Sequence, residues 1–189
     1  MKESKLYKFI RPIVTFLFRV IYKPTIIGKE NISNDKGIIL AGNHTHNFDC
    51  LLLMSATKKP IHFFAKIELF KGPFGFIFKS LGLIPVDRSK KNKSALIKGY
   101  DYLNDEKIVG IFPEGTTCKN QELLPFKIGA VKMADETKKK IVPFAIIGKY
   151  RRGKIKIVFG KAYNILNDLD KENERLRDKV KKLIKDNEV

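Results

Sequence analysis

Near the start of the chain, apolar residues recur at helical spacing. Leu6, Phe9, Ile10, Ile13, Leu17, Val20 and Ile21 fall on one side, and Lys8, Arg11, Thr15 and Arg19 fall on the other. The pattern predicts an amphipathic helix, with Pro12 either opening its regular part or kinking it, because proline has no amide donor to give a helix interior. Downstream, short apolar runs alternate with helical stretches. Strands are expected at Gly37–Ala41, Ile61–Ala65, Leu83–Val86, Ile108–Phe112, Ile141–Ile147 and Ile155–Phe159. Helices are expected at Asp49–Thr57, Glu68–Leu81 with an interruption at Gly72-Pro73, Ser94–Leu103, Lys127–Lys138 and Asp168–Lys185. The strand segments are apolar throughout instead of alternating, as strands covered on both faces are. The expected fold class is α/β: a largely parallel central sheet with helices on both faces, preceded by the N-terminal amphipathic helix. In domain terms, an interfacial helix over residues 1–22 precedes an α/β domain over residues 23–189.

Two placements of the first helix are open on pattern alone. Its apolar face covers the core of its own chain, or it lies in a membrane interface with its basic face toward anionic headgroups. The length of 189 residues suits one domain. A membrane span needs about 20 apolar residues, whereas the longest uncharged run, Gly37–Phe48, is shorter and contains asparagine and histidine. Nor does the N-terminus read as a signal peptide, since Arg11 and Arg19 bracket the short apolar run Ile13–Phe18. Cys50 and Cys118 are too few for a disulfide framework, which points to a reducing compartment. The formal net charge of +18 selects anionic partners: nucleic acid, anionic lipid or phosphate-bearing small molecules. The charge is spread along the chain and no nucleic-acid-binding signature is evident, so nucleic acid is not an expected partner.

Ligands of such sheets collect where loops leave the carboxyl ends of strands, and here those loops are polar. After Gly37–Ala41 comes Gly42-Asn43-His44-Thr45-His46-Asn47-Phe48-Asp49; after Leu83–Val86 comes Asp87-Arg88; after Ile108–Phe112 comes Pro113-Glu114-Gly115-Thr116-Thr117. A loop histidine, His44, followed by Asp49 in the first turn of a helix is suited to general-base chemistry. The carboxylate takes the Nδ1 proton and Nε2 is left free, with no serine needed if the substrate brings its own hydroxyl. Two other readings of this loop stay open: helix capping by Asn43, His44 or Asn47, and a metal site from His44, His46 and Asp49. The second is short of ligands, because the one remaining histidine, His62, falls on a strand, and no metal is expected.

In order along the chain, Asn43-His44-(x4)-Asp49, Gly82-Leu83-Ile84-Pro85-Val86-Asp87-Arg88, Phe112-Pro113-Glu114-Gly115-Thr116 and Val142-Pro143-Phe144 resemble the four motifs of the glycerolipid acyltransferases, most of all the lysophosphatidate acyltransferase branch. Ala65-Lys66-Ile67-Glu68-Leu69 and Leu124-Pro125-Phe126-Lys127-Ile128-Gly129-Ala130 also match the family style, and the similarity covers Gly37 to Ile147. The resemblance implies transfer of a fatty acyl group from acyl-CoA or acyl carrier protein to the hydroxyl of a lysophospholipid, foremost 1-acyl-glycerol-3-phosphate. Another lysophospholipid or glycerol-3-phosphate is the alternative acceptor. It implies His44 as general base, Asp49 as its orienting partner, and direct attack without an acyl-enzyme. Arg88 matches the arginine that holds the acceptor phosphate, a job suited to a guanidinium fork. Glu114, Gly115 and Thr116 match the third motif, where the glycine lets backbone approach ligand and the glutamate binds the acceptor or shapes the site. Lys66 and Lys127 are further phosphate-binding candidates, equally readable as solvated lysines. No cofactor is bound permanently, since the acyl donor is a substrate.

The sequence departs from the lysophosphatidate branch at Thr117, where that branch carries arginine; Lys119 is a substitute two residues on. Phe70, Phe74, Phe76 and Phe78, with Leu81 and Leu83, are expected to line an acyl-chain groove, touch lipid or fill ordinary core. The runs Lys90-Lys91-Asn92-Lys93, Lys138-Lys139-Lys140 and Tyr150-Arg151-Arg152-Gly153-Lys154 attract anionic lipid or the donor's phosphates, or are solvated faces. The implied location is peripheral, on an anionic membrane surface at its cytoplasmic face.

Overall fold

A computed structural model describes residues 5–32, 37–73, 75–87, 93–118, 122–166 and 168–188. The elements run α1 (Lys5–Tyr22), β1 (Thr25–Ile27), a 3-10 turn (Lys29–Asn31), β2 (Ile38–Gly42), α2 (Asp49–Ala56), β3 (Ile61–Lys66), α3 (Glu68–Lys71), α4 (Gly75–Ser80) and β4 (Ile84–Val86). They continue with α5 (Lys93–Asn104), β5 (Ile108–Ile111), α6 (Gly129–Thr137), β6 (Ile141–Gly148), β7 (Ile155–Phe159) and α7 (Leu169–Lys185). The strands form one seven-stranded sheet in the order β1-β7-β6-β2-β5-β3-β4. All neighbours are parallel except β6 and β7, which pair antiparallel.

Every residue of β2 is buried, which is why its sequence is apolar without alternation. Its side chains serve both faces. Ile38 and Leu40 pack with Phe18 of α1, Leu52 and Leu53 of α2, and Phe63; Ile39 and Ala41 pack with Leu103 of α5, Ala130 and Met133 of α6, and Leu176 and Val180 of α7. Burying each leucine or isoleucine contributes roughly 1.5–3 kcal/mol, so the two layers fix β2 from both sides. β2 lies between β5 and β6, with Ala41 opposite both Ile111 and Pro143. The connection from β5 to β6 passes over β2, so the strand order reverses there and the carboxyl ends of three strands meet at a switch point.

α1 differs from the expected placements in the face it turns to the protein. It runs through Pro12 instead of starting there, and its polar side faces the protein. The Arg11 guanidinium donates to the carbonyls of Met54 at 3.2 Å, Lys58 at 2.6 Å and Thr57, and Arg19 donates to that of Ser55. These carbonyls close the C-terminal end of α2, where they lack helical partners and the helix dipole favours cations. Phe18 is buried, but much of the apolar side is turned outward, with Phe9 70% and Phe16 65% exposed, joined by Ile13, Leu17, Val20 and Ile21. Among the described residues no helix is long and apolar enough to cross a membrane.

The predicted helix over Glu68–Leu81 is two short helices, α3 and α4, because Gly72-Pro73 ends the first; the Gly75 amide donates to the Gly72 carbonyl at 2.9 Å. β1 went unpredicted because it is an edge strand of three residues with no buried position.

Candidate active site

The loop from β2 to α2 is built on two close contacts with β6. A Cβ on Gly42 would sit 2.1 Å from the Phe144 carbonyl oxygen, so only glycine fits there. Asn43, buried, then acts as an extra rung: its Nδ2 donates to the Ile146 carbonyl at 2.8 Å and its Oδ1 accepts from the Ile146 amide at 2.7 Å. Asn43 is thus committed to the sheet and is not the residue that caps α2, and the residue before the helix, Phe48, makes no side-chain cap.

Beyond Asn43 the chain wraps round the Asp49 carboxylate, which is wholly buried. Oδ2 accepts from His44 Nδ1 at 2.8 Å, the Thr45 amide at 2.6 Å and the His46 amide at 2.9 Å. Oδ1 accepts from Thr45 Oγ1 at 3.2 Å and from the Tyr150 hydroxyl. An ionised carboxylate offers acceptors only, so Nδ1 of His44 carries the proton and Nε2 presents a lone pair. The imidazole lies flat on Phe112, ring centroids 4.1 Å apart and planes 16° apart.

The loop after β5 closes the other side. Its Cys118 amide donates to the His44 carbonyl at 2.8 Å, and Glu114 Oε1 accepts from the His44 amide at 3.4 Å. Gly115 has φ of 69°, the left-handed region, and the Lys127 ammonium passes 2.7 Å from where a Cβ would stand. Lys127 is held in turn: its amide donates to the Pro113 carbonyl at 2.9 Å. The strap before it is tied to α7, where Arg177 donates to the Leu123 carbonyl at 3.0 Å and Asn173 to that of Phe126 at 2.7 Å.

Glu114 is buried, and among the described residues its Oε2 has no hydrogen-bond partner. Burial pushes its carboxyl up to about 7 and the Asp49 charge adds to the rise, against the His44 amide and the Arg177 charge. Because the folded chain holds that proton more tightly than the unfolded chain does, the resulting stabilisation is complete below about pH 4.5 and is lost as pH rises through 7. Glu114→Gln is expected to remove up to about 3 kcal/mol of pH dependence between pH 4 and pH 8, read as urea midpoints that diverge from those of the unsubstituted protein between about pH 4.5 and pH 7 and run parallel above that. Cys50, beside Asp49, is no nucleophile: burial, with the Asp49 charge, pushes its thiol up to about 12.

Between the loops lies a cleft of about 270 Å³ that brings together His44, Lys66, Gly115 and Lys127 with apolar walls from Phe64, Val86, Leu96 and Ile111. Of the residues singled out from sequence, His44, Lys66, Gly115 and Lys127 line the cleft, and Asp49 and Glu114 are buried behind it, each in contact with His44. Thr116 is exposed and does not line the cleft; it follows the left-handed turn at Gly115, which carries the chain away. Arg88, Lys119, Phe74 and residues 90–92 lie outside the described residues. The aromatic groove expected from Phe70, Phe76 and Phe78 is not the wall of this cleft. Phe70 and Phe78 face each other with centroids 6.5 Å apart, and Phe76 is 64% exposed. His62 is a strand histidine, stacked on Tyr102 at 3.9 Å with Nδ1 2.9 Å from the Gly82 carbonyl oxygen. Among the described residues no three histidine, cysteine, aspartate or glutamate side chains are grouped to hold a metal. Tyr150 reaches the site from the β6–β7 turn, and no local sequence pattern marks a contact between residues 101 positions apart.

Residues 23–147 match the family model described as Acyltransferase. The chain is 31% identical over 163 residues to the 1-acyl-sn-glycerol-3-phosphate acyltransferase of Bacillus subtilis, a match covering 82% of this chain and 81% of that protein. It is 31% identical over 127 residues to the protein of the same name from Borreliella burgdorferi, covering 66% of this chain but 51% of that one. The crystal structure of the 1-acyl-sn-glycerophosphate (LPA) acyltransferase of Thermotoga maritima superposes with a TM-score of 0.79 at 22% identity, covering 95% of this chain and 78% of that one, which establishes the shared fold.

Proposed function

The chain belongs to the acyltransferase family, and from that premise we propose that it moves a fatty acyl group from an acyl thioester, acyl-CoA or acyl carrier protein, to the free hydroxyl of 1-acyl-glycerol-3-phosphate, giving phosphatidate. The observation that carries the reading is the His44–Asp49 pair at 2.8 Å, set in a cleft whose walls are apolar and whose cations are Lys66 and Lys127. A lysophospholipid asks for that combination: room for an apolar chain, positive charge for a phosphate and a base for a hydroxyl.

In the proposed reaction His44 Nε2 takes the proton of the acceptor hydroxyl as its oxygen attacks the thioester carbon. The new C–O bond forms, the C–S bond breaks, and the imidazolium, held by Asp49, returns the proton to the departing sulfur. No acyl-enzyme, metal or resident cofactor takes part. Lys66 and Lys127 draw in the acceptor phosphate, and Arg88, next in sequence to Asp87 after β4, supplies the bidentate guanidinium. Gly115 keeps the backbone beside Lys127 open to ligand, and Thr116, exposed, borders that turn without entering the cleft. The relatives from Bacillus subtilis and Borreliella burgdorferi, both named for 1-acyl-sn-glycerol-3-phosphate, support this acceptor, while the neutral Thr117 favours testing others beside it. Steady-state rates with lysophosphatidate, other lysophospholipids and glycerol-3-phosphate, each with both donors, decide the matter. The highest kcat/KM is expected for lysophosphatidate, and a higher value for a choline or ethanolamine lysophospholipid overturns the acceptor assignment.

The outward apolar side of α1 supports residues 1–22 as an interfacial helix on an anionic membrane, at its cytoplasmic face. Its contact is made by Phe9, Phe16 and Ile21 while Arg11 and Arg19 hold the helix to α2. Phe18 is part of the core, so deletion of the helix would uncover the domain and point substitution is the cleaner test. Replacing Phe9 and Phe16 together with serine is expected to lower partitioning onto phosphatidylglycerol vesicles at least about tenfold, since each phenyl ring buried in lipid contributes roughly 1.5–3 kcal/mol. Vesicle sedimentation reads the change, and unaltered binding would remove α1 from the interface.

A further inference from the structure

Asp49 Oδ1 faces away from His44, and what holds it decides how firmly the other oxygen is aimed. Its donors are Thr45 Oγ1, at 3.2 Å, and the Tyr150 hydroxyl. Tyr150 belongs to the turn between β6 and β7, and its phenol stays protonated because burial, then the Asp49 charge, pushes it far up. The ring is fixed by other rings: Tyr22 at 5.6 Å and 90°, Phe48 at 6.0 Å and 79°, His46 at 4.8 Å and 36°. The turn itself is fastened to the end of α1, where the Gly153 amide donates to the Tyr22 carbonyl at 2.7 Å and Arg152 Nη1 to that of Val20 at 2.6 Å.

Resting on the general-base reading of His44, we propose that Tyr150 is a positioning residue: its hydroxyl holds Oδ1 so that Oδ2 stays aimed at His44 Nδ1 and its pull on that proton is moderated. The terminal torsion of an aspartate is broad and roughly two-fold, and without Tyr150 its Oδ1 keeps only the long contact from Thr45 Oγ1 at 3.2 Å, so the carboxylate is freer to rock about its bond to Cβ. A hydrogen bond to Oδ1 also withdraws charge from the carboxylate, which weakens Oδ2 as an acceptor. Both effects reach the reaction only through His44, because Tyr150 does not line the cleft. The contact also ties the dyad to α1, whose end sets the position of the tyrosine.

Two replacements test the role in opposite directions. Tyr150→Phe keeps the ring and removes the donor. Site-specific incorporation of 3,5-difluorotyrosine at position 150 keeps the fold and strengthens the donor. The substrate-free readout is the proton NMR resonance of His44 Nδ1–H, assigned by its loss in His44→Gln. It is expected to move in opposite directions in the two proteins: downfield in Tyr150→Phe and upfield in the difluorotyrosine protein where the acceptor strength of Asp49 dominates, and the reverse where its aim at Nδ1 dominates. In the acyl-transfer assay Tyr150→Phe is expected to lower kcat about tenfold, the scale of a small misplacement of a reacting group, with KM within twofold. A resonance that stays in place in both proteins overturns the proposal, as does unchanged kcat in a Tyr150→Phe protein that melts like the original. Should the unsubstituted protein transfer no acyl group, the enzymatic reading fails, while the resonance still decides whether the tyrosine governs the dyad.

Discussion

Replacing His44 with alanine is expected to lower kcat for acyl transfer about a thousandfold while leaving the protein folded. A positioned general base contributes typically about 10²–10⁴ in rate. Here the imidazole is the group aligned by a buried carboxylate and stacked on Phe112 at the cleft. Its removal widens the cleft it lines and leaves no closed cavity, and Asp49 keeps the Thr45 and His46 amides, Thr45 Oγ1 and Tyr150 as donors without it. The urea midpoint should therefore move little. KM for the acceptor should also change little, since Lys66 and Lys127 remain in place. Purified enzyme assayed with labelled acyl thioester and lysophosphatidate gives both numbers.

Asp49→Asn has a different signature, losing activity and stability together. Asparagine offers one acceptor oxygen where Asp49 uses two, and its NH2 cannot accept from the Thr45 amide, the His46 amide or the Tyr150 hydroxyl. One orientation of the amide leaves the donors on the Oδ2 side facing NH2, and the other leaves those on the Oδ1 side. Each buried donor left unpaired costs about 1–3 kcal/mol, so a loss of about 2–4 kcal/mol is expected in denaturant unfolding. When the NH2 takes the Oδ2 position it also donates to His44 Nδ1 and drives the proton to Nε2, the nitrogen that must be free. A rate loss of about 10⁴ is the scale set by the same substitution in serine-protease triads. The contrast between a silent His44→Ala midpoint and a lowered Asp49→Asn midpoint distinguishes a base from the residue that both orders its loop and orients it.

Much of this architecture was legible in the residues, and the reason is burial. β2, β5 and β6 are apolar without alternation because both faces of the sheet are covered, and that pattern survives any detail of packing. The site was legible where chemistry is local: His44 and Asp49 lie within one loop, and the glycine of Glu114-Gly115 sits in the left-handed turn that glycine favours. It was not legible where the fold joins distant segments. Nothing near Tyr150 announces Asp49, and its place in a basic run reads as a solvated surface. Asn43 looks like a helix cap because caps are local, yet its partner is Ile146, a strand away. α1 shows the limit of periodicity: the pattern separated the apolar side from the basic side, but which side faces the protein was decided by the unpaired carbonyls at the end of α2, which take Arg11 and Arg19.

The proposed direct transfer makes a stoichiometric claim that one experiment reads. Purified protein on phosphatidylglycerol vesicles is given lysophosphatidate and an acyl thioester, and released thiol and newly formed phosphatidate are counted together by mass spectrometry. One phosphatidate for each thiol, with no acyl group on the protein during turnover, is the predicted result. Thiol release matched by free fatty acid instead of phosphatidate, or an acyl group accumulating on a side chain, would contradict it.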